Sequence, residues 1–213
     1  MKKALYGFTV REMVEIAVLC AIAIVLDKFV TVDIGATGGS LNISMVPIFI
    51  VSLRHGWFKG FIAGGIVFGV ISCLLDGYGF GYYPLEYFVA FGSTCILGFF
   101  GGYINKCYNE FYTSTNDENN KNYRIFQLLK SFGLIFVCVL AWAVIRFFAG
   151  VADTLIFYPE FTFVEALLYH VGYVFASAGV VMIILMLLLH PISVINKRFT
   201  TPYLNEYGKN SLE

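Results

Sequence analysis

The sequence predicts an all-α membrane protein, folded as a compact bundle of six transmembrane helices with cytoplasmic termini and an outward-facing binding pocket. Three observations support this fold class: the composition, the length of the apolar runs, and the side of those runs on which basic residues fall. Hydrophobic residues make up 59% of the chain and charged residues only 13%, whereas a soluble domain is about half apolar and a quarter charged. The mean hydropathy is +0.77, and the net charge of zero leaves no polybasic surface for nucleic acid.

Apolar runs divide the chain, treated as a single membrane domain of residues 1–213, into six predicted spans. A helix needs about 20 apolar residues to cross the hydrocarbon core. The predicted spans are 12–30, 43–55, 57–75, 84–107, 125–150 and 163–190. The second is short, so it either extends at its N-terminal end or forms a partial helix that is shielded by protein. The polar, Asn-rich segment 108–124 predicts a cytoplasmic loop between two halves of three helices each.

Lysine and arginine set the predicted orientation, because they accumulate in cytoplasmic loops. With the N-terminus inside, the basic residues on the cytoplasmic side are Lys2, Lys3, Arg11, Arg54, Lys59, Lys106, Lys121, Arg124, Lys130, Lys197, Arg198 and Lys209. Only Lys28 and Arg146 remain on the other side, each at the edge of a span. The asymmetry predicts a multi-pass protein of the cell membrane.

Small residues recur at four-residue spacing in two of the predicted spans. Gly56, Gly60 and Gly64 mark the third span, and small residues of this kind let membrane helices approach closely. Ala17 and Ala21 form a similar pair on the first span. The pattern alone favours packing within the molecule for these alanines, and the alternative is a docking face for a separate membrane partner.

Ionisable and aromatic residues gather at the outer ends of three spans. An acid inside an apolar run is energetically unfavourable and by default indicates a functional site; Glu86 and Glu165 are the two such acids. Glu165 and Tyr169 are four residues apart, which places them on one helix face. The candidate substrate-binding residues are Glu86, Tyr87, Tyr78, Tyr82, Arg146, Asp153, Tyr158, Glu165, Tyr169 and His170.

Two simpler interpretations apply to parts of this cluster. The tyrosines are also typical of an interfacial aromatic belt, and Glu86 with Arg146 is equally typical of a structural ion pair between two helices. Neither explains why acids, a base and aromatic rings converge at one depth. Such a cluster suits a small, flat, partly cationic solute, whose rings stack on aromatics while carboxylates hold the charge.

The sequence shows no sign of a catalytic or metal centre. Five cysteines lie in or beside apolar segments without a C-x-x-C pair or a histidine spacing suited to zinc, which favours buried thiols over disulfides or metal. A P-loop motif is absent, so the chain does not itself hydrolyse ATP in that way. We therefore expect a binding subunit without cofactor or metal. The alternatives are an intramembrane enzyme or membrane-assembly protein, with Glu86 and Glu165 as its carboxylate pair, and a stand-alone facilitator.

Two stretches, "ISMVPIFIVSLRHGWFKGFIAGGIVFGVIS" (43–72) and "LEYFVAFGS" (85–93), resemble the thiamine-binding S component of energy-coupling factor (ECF) transporters, the thiamine transporter family. The resemblance implies a six-helix membrane subunit that captures a vitamin from outside. It also implies partners: a transmembrane coupling protein and two ATPase subunits, which hydrolyse the ATP. In that family a small-residue motif on the first helix contacts the coupling protein, so the resemblance favours the docking role for Ala17 and Ala21.

The resemblance carries over to individual positions. Glu86 and Tyr87 match the family's Glu-Tyr pair, which contacts thiamine. Arg146 matches a basic position on the fifth helix, Tyr158 falls where the family has an aromatic residue, and Tyr78 matches a loop tyrosine.

Other positions depart from the family. The stretch "TGGSLN" (37–42) has no tryptophan before the second helix, and Gly150 stands where the family has a fifth-helix histidine. Tyr169 or His170 lies near the position of a late asparagine. These departures leave the S-component role in place and leave the ligand open between thiamine and a related ring compound, such as a pyridoxine-like vitamin or a thiamine precursor.

Overall fold

Helices account for most of the chain in the computed structural model, which describes residues 5–34, 39–77, 81–113 and 121–210. In chain order the elements are α1 (Val10–Phe29), β1 (Thr31–Ile34), β2 (Gly39–Asn42), α2 (Met45–His55), α3 (Trp57–Asp76), α4 (Tyr83–Tyr112), α5 (Lys121–Phe157), α6 (Phe163–Arg198) and α7 (Pro202–Asn210).

Within the described residues, four helices are long and apolar enough to cross a membrane: α3, α4, α5 and α6. The predicted helical membrane fold is confirmed at this level. The helix α1 has 20 residues and carries charged side chains near both ends, among them Glu12 and Lys28. The helix α2 has only 11 residues and is buried along almost its whole length, so it is a short helix shielded by protein, the second of the two predicted arrangements.

Two local features differ from the sequence prediction. A short antiparallel hairpin joins α1 to α2, with Thr31 opposite Asn42 and Ile34 opposite Gly39; β-branched residues at 31, 32 and 34 suit a strand. Helix α4 continues to Tyr112 and α5 begins at Lys121, so both helices extend into the predicted loop 108–124. The residues between Thr113 and Lys121 lie outside the described part of the chain.

Three glycines of α3, Gly64, Gly65 and Gly69, lie against the backbone of α4. A Cβ atom added at Gly64 would lie 2.5 Å from the carbonyl oxygen of Phe91, and one at Gly69 would lie 3.0 Å from that of Tyr87. The predicted close packing of the third span is therefore confirmed. Both helices contain a π-helical segment at this contact, Ile62–Phe68 in α3 and Tyr83–Val89 in α4, and such segments frequently occur at functional sites.

A buried ionic network fixes the first half of α1. The Lys59 ammonium, which is fully buried, donates to the Glu12 carboxylate at 2.6 Å. Arg54 donates to Glu15 and to the side-chain oxygen of Asn196, each at 2.5 Å. Buried charges are tolerated when they are paired and hydrogen-bonded. The network therefore holds α1 against α2, α3 and α6 at this end of the bundle.

Candidate functional site

A cavity of about 340 Å³ lies at the other end of α1. Its volume falls within the range of small-molecule pockets, about 300–1,000 Å³. Its lining residues come from α1, β2, α3, α4 and α5 and are mostly polar: Asp27, Lys28, Asn42, Asp76, Glu86, Tyr87, Phe91 and Arg146. Three of the predicted binding residues, Glu86, Tyr87 and Arg146, are therefore brought together here.

A network of paired side chains joins the helix ends around the cavity. Lys28 donates to Asp76 and lies 3.0 Å from a carboxylate oxygen of Asp27. The Asn42 amide donates to Asp27, and the Tyr87 hydroxyl donates to Asp76 at 2.8 Å. These five residues link α1, β2, α3 and α4. Because Lys28 is held by two carboxylates, its charge is already balanced within the protein.

Glu86 lies on the π-helical segment of α4, half-buried at the cavity wall. Its backbone N–H donates to the carbonyl oxygen of Tyr82 at 3.2 Å, but among the described residues its carboxylate forms no hydrogen bond or ion pair, and none with Arg146 in particular. The structure thus lacks the ion pair that the sequence offers as an alternative. The Glu86 carboxylate remains available to a cation or a hydrogen-bond donor in the cavity.

Arg146 is the second uncommitted charge of the cavity. Its side chain is buried, and its Nε and Nη1 atoms have no hydrogen-bond partner in the part of the chain that the structure describes. Its guanidinium carbon lies 5.6 Å from the ring centre of Phe91 and 5.5 Å from that of Trp142, within the range of cation–π contacts. An arginine with unsatisfied donors beside a cavity is suited to a ligand that presents hydrogen-bond acceptors.

Behind Arg146, polar residues of α5 and α6 meet in the interior. Asp153 is buried, and among the described residues neither of its carboxylate oxygens has a hydrogen-bond partner. The His170 ring is hydrogen-bonded to Thr154 at 2.8 Å and to Tyr173 at 2.5 Å. The Tyr169 ring meets that of His170 edge-on, with ring centres 4.9 Å apart. Asp153, Tyr169 and His170 do not line the cavity.

The remaining candidates lie elsewhere. Tyr82 stacks on Phe157 with ring centres 3.9 Å apart, and Tyr158 is partly exposed beside it. Glu165 is exposed and accepts a hydrogen bond from the backbone N–H of Thr162 at 2.8 Å, forming a capping box at the start of α6. Capping explains an acid at the start of an apolar run without a ligand. Tyr78 lies outside the described residues.

Sequence reasoning missed five lining residues: Asp27, Lys28, Asn42, Asp76 and Phe91. It used Lys28 only for the orientation of the chain. The available signal was the acid–base pair at the end of the first apolar run together with an acid at the end of the third. Their convergence becomes visible only when the helix ends are brought together.

The site contains no arrangement typical of catalysis or metal binding. Across the described residues, no group of three or more His, Cys, Asp or Glu side chains could hold a metal ion. All five cysteines lie among the described residues, and no disulfide joins any two of them. The arrangement can hold a small molecule by its charge, its hydrogen bonds and its rings.

The fold and this cavity define the chain as a helical membrane protein with a polar cavity inside the bundle. A family model described as thiamine transporter protein (Thia_YuaJ) matches residues 13–200, most of the sequence. The chain belongs to the thiamine transporter protein family, whose members are transporters and not enzymes. The family resemblance seen in the sequence is thereby confirmed.

Two relatives illustrate the similarity. The thiamine transporter ThiT of Bacillus subtilis (strain 168) is 32% identical over 100 residues, which cover 45% of this chain and 51% of that protein. The alignment thus spans about half the length of that relative. A solved structure of ThiT from Listeria monocytogenes superposes with a TM-score of 0.61 at 20% identity, covering 85% of this chain and 94% of the other. At that identity the match supports the fold.

Proposed function

We propose that this chain is the substrate-binding (S) subunit of an ECF-type ABC transporter and that it captures thiamine, or a closely related ring compound, from outside the cell. The observation that carries the proposal is the Glu86 carboxylate, which faces a cavity inside the bundle and is not committed to any described partner. An ionisable group that faces a cavity at membrane depth is a strong indication of a solute site.

The charges around the cavity suit a ligand with one positive charge. Three carboxylates and two cationic side chains line it, which gives a formal excess of one negative charge. Thiamine carries one permanent positive charge on its thiazolium ring, and its aminopyrimidine ring presents both donors and acceptors. Glu86 would hold the charge or the amine, Arg146 would donate to a ring nitrogen or hydroxyl, and Tyr87 and Phe91 would contact the rings.

The proposed orientation places the cavity on the outer side of the cell membrane. The chain would cross the membrane as six helical segments, with α2 shielded by protein. In the fold, Arg54, Lys59 and Lys197 lie at the end of the bundle away from the cavity. Basic residues favour the cytoplasmic side, so the N- and C-termini would be cytoplasmic and the cavity would open outward.

The proposed partners are a transmembrane coupling protein and two ATPase subunits. Ala17 and Ala21 are exposed on α1, on a different face from the buried Ile16, Cys20 and Ala23. Small residues on an exposed helix face permit close approach of another membrane helix. ATP would be hydrolysed by the partner subunits, and the chain itself would need no cofactor or metal.

A second ligand, a pyridoxine-like vitamin or a thiamine precursor, is favoured by one feature of the cavity. Only two of its eight lining residues, Tyr87 and Phe91, are aromatic. Asn42, the last residue of the stretch that lacks the family's tryptophan, is part of the wall. A cavity with few stacking surfaces favours a ligand with a single ring.

Mass spectrometry of small molecules retained by the purified protein, followed by fluorescence titration, tests the proposal. Thiamine, pyridoxal and an aminopyrimidine precursor are the ligands to compare. We expect thiamine to be retained by the purified protein. We also expect thiamine to quench the protein fluorescence saturably, at a lower concentration than the other two compounds. If the protein binds pyridoxal or the precursor more tightly than thiamine, that compound replaces thiamine as the proposed ligand. If the chain alone takes up the ligand without ATPase subunits, it is a facilitator and not an S subunit.

A further inference from the structure

Helix α5 lies against the His170 ring of α6 at Gly150. A Cβ atom added at this position would lie 2.5 Å from Cε1 and 2.6 Å from Nδ1 of His170, closer than real Cβ contacts come. Glycine inside a helix destabilises that helix relative to alanine. The close approach supplies the reason for its presence here, because the imidazole ring occupies the space that a side chain would fill.

The His170 ring is fixed in this position from both sides. One nitrogen is hydrogen-bonded to the Thr154 hydroxyl at 2.8 Å and the other to the Tyr173 hydroxyl at 2.5 Å. The side chain is 5% exposed. A ring with both nitrogens satisfied and no room to turn cannot move aside without breaking these bonds.

The residues that contact this ring share a helix face with Arg146. Arg146, Gly150 and Thr154 are spaced by four residues, so they follow one another along α5 at intervals of about 6 Å. His170 therefore packs on α5 one turn beyond the residue that enters the cavity. Because Nε and Nη1 of Arg146 have no hydrogen-bond partner among the described residues, the position of its guanidinium depends on where the backbone of α5 is held.

We propose that His170 is a positioning residue for ligand binding: packed on the bare backbone at Gly150 and hydrogen-bonded to Thr154, it sets the height and angle at which α5 presents Arg146 to the cavity. The inference rests on the proposed function, because it assigns His170 to the binding of the ligand that Arg146 contacts. Tyr173 is hydrogen-bonded to the other nitrogen of the ring. We call the contacts of His170 with Gly150, Thr154 and Tyr173 the His170 brace.

A double-mutant cycle in the purified protein tests this brace. His170→Ala and Arg146→Lys are made singly and together, and thiamine affinity is measured by fluorescence titration. We expect His170→Ala to weaken binding roughly tenfold, and to weaken it less than about twofold when Arg146 is already replaced, since side chains that act through one another are not additive. Equal effects in both backgrounds would overturn the inference, because plain packing would act independently of Arg146.

Milder variants and a control keep the test decisive. Tyr173→Phe removes one hydrogen bond and leaves the ring in place, so it replaces His170→Ala if that variant does not fold. Leu168→Ala changes an exposed residue of α6 and should leave affinity unchanged. The melting temperatures of all variants, measured without ligand, give a second double-mutant cycle that reports the coupling of His170 and Arg146 in stability.

The two proposals fail in different ways. If the unmodified protein binds none of the ring compounds, the proposed function is wrong. The coupling between His170 and Arg146 is then read from melting temperatures alone, and additivity there overturns the brace. If thiamine binds but the two effects add, the proposed function stands and only the role of His170 is withdrawn.

Discussion

Replacement of Glu86 by glutamine tests the central residue of the cavity. Glu86→Gln keeps the size of the side chain and removes its charge. Since the Glu86 carboxylate forms no hydrogen bond or ion pair with any described residue, the substitution removes no bond within the bundle. What is lost is a charged hydrogen bond to the ligand, worth about 1.5–3 kcal/mol. We therefore expect thiamine affinity to fall about 10- to 150-fold.

Fluorescence titration of the purified variant with thiamine measures this change, and a melting curve without ligand reports on the fold. Glu160→Gln is the matched control, because Glu160 is an exposed acid between α5 and α6. The Glu160→Gln variant should bind thiamine with the same affinity as the unmodified protein. Unchanged affinity in Glu86→Gln would remove Glu86 from the site. A large loss of melting temperature in the absence of ligand would show that the carboxylate has a structural role instead.

Four further substitutions test other parts of the molecule. Ala17→Trp or Ala21→Trp should leave thiamine affinity intact and abolish uptake by cells that carry the coupling module, because a bulky ring would block close helix contact. Lys59→Met should lower the free energy of unfolding by about 3–5 kcal/mol, since it leaves Glu12 buried without its cation; denaturant or thermal unfolding measures this. Gly64→Ala should destabilise by about 1–3 kcal/mol, because its Cβ would lie 2.5 Å from a backbone carbonyl of α4.

Each of these expectations has an opposite result that contradicts it. Normal uptake in both alanine variants would exclude Ala17 and Ala21 from the docking surface and leave them as lipid-facing residues. If Lys59→Met unfolds at the same temperature as the unmodified protein, the network around α1 contributes little; if it is destabilised, Glu12→Gln in the same chain should restore part of the loss. A Gly64→Ala variant of unchanged stability would mean that α3 and α4 separate easily at their glycines.

Most of the fold could be predicted from hydropathy, because the membrane requires long apolar helices and tolerates little else. The spans 57–75, 84–107, 125–150 and 163–190 each fall within one of the four long apolar helices. The pairing of β1 with β2 could not be predicted in this way, because these four-residue strands are too short to give a clear alternation. The length of α4 and α5 was underestimated because both helices continue in polar sequence beyond the bilayer core.

The candidate site was predictable where a charge interrupts an apolar run. Glu86 and Arg146 stand out for this reason, and both line the cavity. Asp27, Lys28 and Asp76 lie at helix ends, where water-exposed charges are ordinary, so their sequence positions alone do not distinguish a binding site from a solvated helix end. Only the packing of α1 against α3 and α4 makes them neighbours.

Two acids near opposite ends of the same bundle show how a buried charge can be interpreted. Glu12 lies 2.6 Å from the ammonium of Lys59 and also caps α1, so its charge is balanced within the protein and its role is structural. Glu86 has no such partner among the described residues and instead borders a cavity. Glu12 shows that this chain balances a buried acid with a cation of its own. Glu86 lacks such a cation, so its presence at the cavity has no equivalent structural explanation. The difference between Glu12 and Glu86 therefore favours an external cation as the missing partner of Glu86, and a ligand-bound structure with no ligand atom near that carboxylate would refute this conclusion.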